Sequence, residues 1–370
     1  MKSLIYYGPG KLAMEERSIP ETGSKDVLVK VARAGICGSD LTAYLYDGLQ
    51  VGILKNGQFG HDGQFGHEMV GIVEKVGEEV KDVKIGDRVF INPTVCKRSG
   101  MLACDIAGAF SEYVLVEDAA YNYNLMKLAD DVSFDEAVVI EPLAVGTHGK
   151  NCINVKPNEN VVIFGAGTIG ICALNAVMAV GCQKPVVVDM NEDRLKLIEE
   201  MGAVGFNPQQ GDLKEFLINH FGALVNQFGM KIANVDAFID CAGAKPILNQ
   251  IIDIAKEHAR ISVVAIYKQN VEVNFAKVLS SQLTIVGSCG YENADIIEAF
   301  NNINTHRTNT PKIVNWEDST FAKFTSTFSL YTATTETLAC SFAISIIWFK
   351  IGFAPAQSIN ASTFAIFIPN

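Results

Sequence analysis

The period of the apolar positions changes twice along the chain. Short β-branched runs broken by glycine occupy Val27–Ala34 and the stretch from Val70 to Val89, a pattern that predicts a twisted, barrel-like antiparallel domain with few helices. Beyond Asp131 the spacing turns helical over Phe134–Lys150. Asn160–Phe164 then reads as a buried strand that meets a glycine turn at once and continues into an apolar helix through Val180. Val186–Asp189, Ala237–Asp240, Ile261–Ile266 and Leu283–Gly287 are further short apolar strands, most of them separated by helix-length stretches such as Glu192–Met201 and Lys245–Glu257. Strand and helix alternating in this way predict a doubly wound parallel sheet, and the chain as a whole reads as α/β. The expected divisions are a β-rich domain over 1–153, the parallel sheet over 154–288, and a segment 289–370 that returns to the first domain.

From about Val314 the character shifts again, to Ser, Thr, Phe and Ala with few charges. Leu338–Phe349 is apolar for only twelve residues before Lys350, short of the ~20 needed to cross a bilayer, so no membrane anchor is expected. The repeat Gly57-Gln58-Phe59-Gly60-His61-Asp62, followed by Gly63-Gln64-Phe65-Gly66-His67-Glu68, reads as a tandem duplication, and only its second copy continues into a longer motif.

At 370 residues the chain suits two domains, which makes a cleft between them the first place to look for chemistry. A formal charge of −11 argues against nucleic acid, whose binding draws on clustered Lys and Arg. Nine cysteines without a dense framework read as reduced thiols. The first twelve residues lack the basic start and long apolar run of a secretory signal, and the cytoplasm is the expected compartment.

Val161–Phe164 runs into Gly165-Ala166-Gly167-Thr168-Ile169-Gly170 and then a helix, so the GxGxxG pattern falls where a strand hands over to a helix. That context makes it a dinucleotide signature. Gly165 permits the tight turn, Gly167 lets a pyrophosphate approach the backbone, and Gly170 lets the helix pack on the sheet; N–H groups around Thr168 and Ile169 face the phosphates. Asp189 ends the next strand about twenty residues on, where a carboxylate accepts from ribose hydroxyls and repels a 2′-phosphate, favouring NAD over NADP. The competing role for Asp189 is to cap the turn that follows it. Arg194 either covers the adenine or is a solvated helix arginine.

Gly66-His67-Glu68-Met69-Val70-Gly71, with Gly77 and Val80, fits GHExxGx5Gx2V. With Gly35-Ile36-Cys37-Gly38-Ser39-Asp40 and Glu141-Pro142-Leu143-Ala144, it makes residues 1–312 resemble the zinc-dependent medium-chain dehydrogenases of the alcohol dehydrogenase superfamily, in their sorbitol and butanediol dehydrogenase branch. The resemblance implies a GroES-like catalytic domain followed by a Rossmann domain. It also implies one catalytic zinc with Cys37 and His67 as direct ligands, while Glu68 and Glu141 share the remaining protein positions, one of them through water. Taken singly, Cys37 reads rather as a buried strand cysteine and His67 as a satisfied histidine on an apolar face; both motifs in order favour zinc. Thiolate and imidazole suit zinc at ~2.0–2.3 Å, and an open position admits a substrate oxygen. Zinc then lowers the pKa of the alcohol and hydride passes to NAD. Ser39 matches the hydroxyl that carries the substrate proton outward, in competition with a turn-capping role, and Asp40 matches an acceptor that orients the His67 ring.

Three departures modify that picture. Thr42 stands where many relatives carry the outer histidine of the proton relay. Cys96 and Cys104 stand where relatives often have four cysteines, and two cannot close a tetrahedral structural site, so one zinc per chain is expected. The segment after Val314 shows neither the charged helix nor the closing strand of the family, as a shifted reading frame would produce. The reading is a zinc-dependent, NAD-linked oxidoreductase acting on a small secondary alcohol, diol or polyol of the 2,3-butanediol/acetoin or sorbitol type. A threonine or simple-alcohol dehydrogenase, or a catalytically impaired cofactor-binding relative, is the alternative. Relatives pair the exposed edge near Ile285–Gly287 between subunits, which implies a homodimer or homotetramer.

Overall fold

A computed structural model describes residues 1–7, 12–40, 66–96, 108–308 and 343–345. Two compact units divide the chain: Met1–Val138 with Glu317–Asn370, and Val139–Trp316.

In the first unit, β1 (Lys2–Tyr6) and β2 (Leu12–Glu16) form an antiparallel pair. The main sheet is built on β3 (Val27–Gly35), which runs antiparallel to β4 (Glu68–Val76); β5 (Arg88–Ile91) follows on β4, and β7 (Leu125–Lys127) follows on β5. The other edge of β3 is shared. β6 (Tyr113–Val116) takes its first half, and Ala343–Ser345 pairs parallel with Arg33–Gly35 on its second. A strand therefore lies within the tail, where the sequence offers no sign of one; the rest of 309–370 lies outside the described residues. Alternate positions of the strands, Val27, Val29, Val31, Met69, Val73, Val89, Ile91, Val114 and Val116, point into one core.

The helix expected over Phe134–Lys150 is two helices, α1 (Phe134–Ala137) and α2 (Ile140–Cys152). Ser133 starts α1 with a capping box to Glu136. Pro142 explains the break, because inside one continuous helix it would withhold a hydrogen bond from Val138 and press its ring on that carbonyl, whereas in the first turn of α2 it is tolerated. The boundary between the units falls at this break, upstream of residue 154.

The second unit begins with α2 and carries a six-stranded, all-parallel sheet. Its strands are β8 (Val161–Phe164), β9 (Val186–Val188), β10 (Val204–Phe206), β13 (Ala237–Asp240), β14 (Arg260–Val263) and β15 (Thr284–Gly287), in the order β10-β9-β8-β13-β14-β15. A small antiparallel pair, β11 (Ala223–Val225) and β12 (Lys231–Ala233), stands apart from it. The helices are α3 (Thr168–Ala179), α4 (Glu192–Glu200), α5 (Leu213–Phe221), α6 (Ile247–Ile254), α7 (Phe275–Ser280) and α8 (Asn293–Asn304). The order is that of a doubly wound sheet whose direction of winding reverses between β8 and β13, the crevice where such folds take nucleotides. β14 stops at Val263, short of the expected Ile266, because Val264 N and Ala265 N both turn to donate to the Asp240 carbonyl. Among the described residues no helix is long and apolar enough to cross a membrane.

Candidate metal and dinucleotide sites

Cys37 lies two residues past the end of β3, and His67 and Glu68 lie at the start of β4. Antiparallel register sets Gly35 directly opposite Glu68, so residues about thirty positions apart in sequence arrive at one strand end. The Cys37 sulfur, a His67 ring nitrogen and a Glu68 carboxylate oxygen all lie within 4.8 Å of one another. A tetrahedral zinc with ordinary bond lengths has ligand-to-ligand edges of ~3.3–3.8 Å, which that span accommodates. Glu68 reaches the cluster only because Gly35 has no side chain: a Cβ there would stand 1.9 Å from Glu68 Oε2. Gly66 precedes the histidine at φ +95°, in the left-handed region that favours glycine.

Asp40, buried in the helical residues 38–40 that follow Cys37, fastens this arrangement. Its Oδ2 accepts from Cys37 N at 2.9 Å, and its Oδ1 is 3.7 Å from His67 Nδ1. Two buried carboxylates beside a thiol and an imidazole form a donor set that a divalent cation satisfies. Ser39 Oγ is buried and has no hydrogen-bond partner among the described residues, as a hydroxyl awaiting a substrate oxygen would be. The donor set and the orphaned hydroxyl fit a catalytic zinc.

Glu141 was expected to share this ion; it lies in the first turn of α2, buried, and belongs to the second unit. Thr42, Cys104 and the first copy of the duplicated hexapeptide lie outside the described residues, so the relay exit and the lobe after Cys96 receive no structural account.

The glycine motif falls as its spacing predicts, between β8 and α3. Gly165 has φ +96° and is packed so that a Cβ would meet Ala242 at 3.1 Å, across the point where the winding reverses. Gly167 is the N-cap of α3 and offers no side-chain cap, which leaves the first N–H groups, around Thr168 and Ile169, for an anion. At Gly170 a Cβ would collide with the Gly165 carbonyl at 1.8 Å, so the turn closes only on glycine.

Asp189 follows β9 directly. Its Oδ2 accepts from Ala166 N inside the glycine turn at 2.7 Å, and its Oδ1 accepts from Asn191 N at 2.8 Å. Asn191 in turn caps α4 through Asp193 N and Arg194 N. Arg194 is mostly buried, with Nη1 3.8 Å from Asp189 Oδ2, and is not the solvated helix arginine that the sequence allowed.

Sequence reading missed Gly35 as the residue that admits Glu68, and it missed Asp240. The Asp240 carboxylate is fully buried at the end of β13; its Oδ1 accepts from Ala242 N and Gly243 N, and its Oδ2 from Tyr267 Oη at 2.5 Å. Burial and then that carboxylate push the Tyr267 phenol well up. The local signal was a strand ending in Asp before Cys-Ala-Gly, which periodicity alone reads as core.

Comparison with known proteins finds two family domains along the chain. The alcohol dehydrogenase GroES-like domain matches residues 23–130 and the zinc-binding dehydrogenase domain matches residues 168–305. The chain is 29% identical over 315 residues to galactitol 1-phosphate 5-dehydrogenase of Escherichia coli K12, covering 78% of this chain and 83% of that one. It is 26% identical over 306 residues to (R,R)-butanediol dehydrogenase of Bacillus subtilis strain 168, covering 79% and 85%. The crystal structure of 2R,3R-butanediol dehydrogenase from Bacillus subtilis superposes with a TM-score of 0.71 at 24% identity, over 84% of this chain and 90% of that one, which shows a shared fold. Zinc and a nicotinamide dinucleotide are the cofactors of this family. The chain belongs to the zinc-dependent medium-chain dehydrogenases of the alcohol dehydrogenase superfamily, in the branch that resembles sorbitol and butanediol dehydrogenases.

Proposed function

We propose that the chain interconverts a small secondary alcohol, diol or polyol and its ketone with NAD, the 2,3-butanediol/acetoin pair and sorbitol-type polyols being the leading substrates. The observation that carries this reading is the convergence of Cys37, His67 and Glu68 at one strand end. The galactitol phosphate and butanediol dehydrogenases among its relatives support the substrate class. When bound, zinc supplies Lewis-acid polarisation of the alcohol oxygen and NAD supplies the hydride acceptor.

The chain's own residues divide the remaining work. Cys37 and His67 hold the ion, and Glu68 and Glu141 share the remaining protein positions, one of them through water. Asp40 ties the Cys37 backbone in place and faces His67 Nδ1, where it would orient the ring. Ser39 Oγ takes the proton that the alcohol gives up. In the second unit Gly165, Gly167, Thr168, Ile169 and Gly170 seat the pyrophosphate, Asp189 accepts from the adenosine ribose, and Arg194 lies over the adenine. The negative charge of Asp189 makes NAD the preferred dinucleotide. We place the enzyme in the cytoplasm with one zinc per chain, and as a homodimer or homotetramer paired through the edge at β15. Those assignments rest on composition and family resemblance.

Metal analysis, NAD(H) titration and a diol and polyol panel followed by NADH formation test the reading together. Cys37→Ala and His67→Ala should each lose both bound zinc and turnover. Retention of both would refute it.

A further inference from the structure

The last turn of α2 and the first turn of α8 bring a thiol, an imidazole and a carboxylate into line. We propose that Cys152 is a base-assisted thiol that accepts oxygen from a hydroperoxide, with His148 and Asp295 as its proton relay. His148 and Cys152 are four residues apart on α2, hence on one face. Cys152 Sγ lies 3.3 Å from His148 Nε2, and His148 Nδ1 lies 2.7 Å from Asp295 Oδ2. The carboxylate is itself fixed. Glu292 N donates to Asp295 Oδ2 at 2.8 Å and Asn151 Nδ2 donates to its Oδ1 at 2.7 Å, while Lys150 Nζ reaches Glu298 Oε1 on the same helix at 2.7 Å.

This order of partners sets the tautomer. A carboxylate acceptor holds the proton on Nδ1, so Nε2 is left to accept from the thiol. Burial pushes the Cys152 thiol up; the neighbouring Ser288 draws it the other way, and the charges of Asp295 and Glu292 add to the rise. At rest the sulfur is therefore protonated, and its reactivity depends on passing that proton on during attack. Transfer from Sγ to Nε2 leaves the net charge of the pair unchanged, and Asp295 stabilises the resulting imidazolium. Cys182 shows the contrast: its thiol donates at 3.3 Å to the Lys156 carbonyl, which is no base.

In the step itself Cys152 Sγ attacks the nearer peroxide oxygen, the S–O bond forms and the O–O bond breaks. The thiol proton passes to His148 Nε2 and from there to the departing oxygen. Cys–SH and HOOH become Cys–SOH and water, sulfur being oxidised by two electrons and the peroxide reduced by two. A leaving oxyanion that needs a proton is the part of the reaction that an imidazolium beside the sulfur serves, which is why a peroxide fits this site better than a carbon alkylating agent.

The test uses the zinc-loaded full chain, exposed to dilute hydrogen peroxide with dimedone present, and follows adduct formation at each cysteine by peptide mass spectrometry. Cys289, exposed in the same unit, is the reference thiol. Cys152 should label about tenfold or more faster than Cys289, and His148→Gln should remove that advantage without changing the Cys289 rate. The buried Cys172 and Cys241 report folding, since they stay unlabelled only while the unit is intact. Should His148→Gln expose them, Asp295→Asn takes its place with the same two readings. Cys152 labelling no faster than Cys289, or at an undiminished rate in a folded relay variant, overturns the proposal.

Discussion

Replacing Gly35 by alanine should remove zinc without unfolding the domain that binds it. A Cβ at this position would stand 1.9 Å from Glu68 Oε2, 3.0 Å from its Cδ and 3.1 Å from its Cβ. An ordinary carbon–oxygen contact is ~3.3 Å, so the carboxylate must retreat by about 1.4 Å, enough to carry an oxygen from bonding distance to zinc out of its coordination sphere. The atom in the way is the end of a flexible side chain, and the overpacking cost to the fold is about 1 kcal/mol. Losing one protein ligand should weaken zinc by at least the 10–100-fold typical of losing a supporting contact. Gly71→Ala is the contrasting variant. Its Cβ would stand 2.3 Å from the Lys30 carbonyl and 2.7 Å from Val29 Cγ1, where β3 cannot yield, and it should destabilise the unit by ~3 kcal/mol or more. Zinc affinity is read by competition with a chromophoric chelator, and stability by thermal unfolding with and without EDTA. With EDTA the wild type and Gly35→Ala should melt within a few degrees of one another, and without it the gap should widen, because the variant no longer gains stability from bound metal. Equal zinc affinity in the two proteins would refute the placement of Glu68 among the ligands.

Ser39→Ala should keep its zinc and lose about a hundredfold in kcat, and an unchanged kcat would exclude the hydroxyl from the proton path. Asp189→Ser should move the NADP-to-NAD ratio of kcat/KM toward NADP by about tenfold, equivalent to ~1.4 kcal/mol, and a constant ratio would show that the carboxylate does not discriminate. Burial raises the Asp87 pKa, but hydrogen bonds from Lys127 Nζ and Tyr121 Oη outweigh it and hold the carboxyl below its usual 3.8. A folded-state pKa below the unfolded one contributes stability above about pH 4 and loses it as pH falls further. Asp87→Asn should therefore lower Tm at pH 7 by an amount that shrinks toward pH 3.5, whereas a difference that stays constant with pH would contradict the sign.

The parts of this molecule that could be read from sequence are those whose physics is local. Gly165, Gly167 and Gly170 lie within a turn of six residues, and Asp189 directly follows the next strand of the same unit, so spacing alone placed them in the fold. Cys37, His67 and Glu68 were legible through motif offsets. Their meeting was not, because it depends on β3 and β4 pairing with Gly35 opposite Glu68, a fact of register. The break at Val138–Val139 was legible in principle from Pro142, whose missing N–H matters only once the helix is drawn through it. β11 was missed for another reason: all three of its residues are exposed, so it carries no alternation. Arg194 was left open because helix position places its backbone, while only packing decides whether its head is covered.

Both sites use an aspartate in the same local way, and this bears on how Asp189 can serve two roles. Asp40 Oδ2 accepts from Cys37 N, Asp189 Oδ2 accepts from Ala166 N, and Asp240 Oδ1 accepts from Ala242 N. In each case a carboxylate near a strand end fixes a neighbouring loop. For Asp189, capping the turn through Asn191 N and accepting from a ribose had stood as competing explanations. They are compatible, because an ionised carboxylate offers about four acceptor positions and two backbone N–H groups fill only half of them. The remaining lone pairs stay open to hydroxyl donors. On the proposed reading of Asp189 as the ribose acceptor, the capping bonds prepare that site: they fix where the carboxylate stands before any dinucleotide arrives, and a substitution at Asp189 should loosen the glycine turn and relax cofactor choice together.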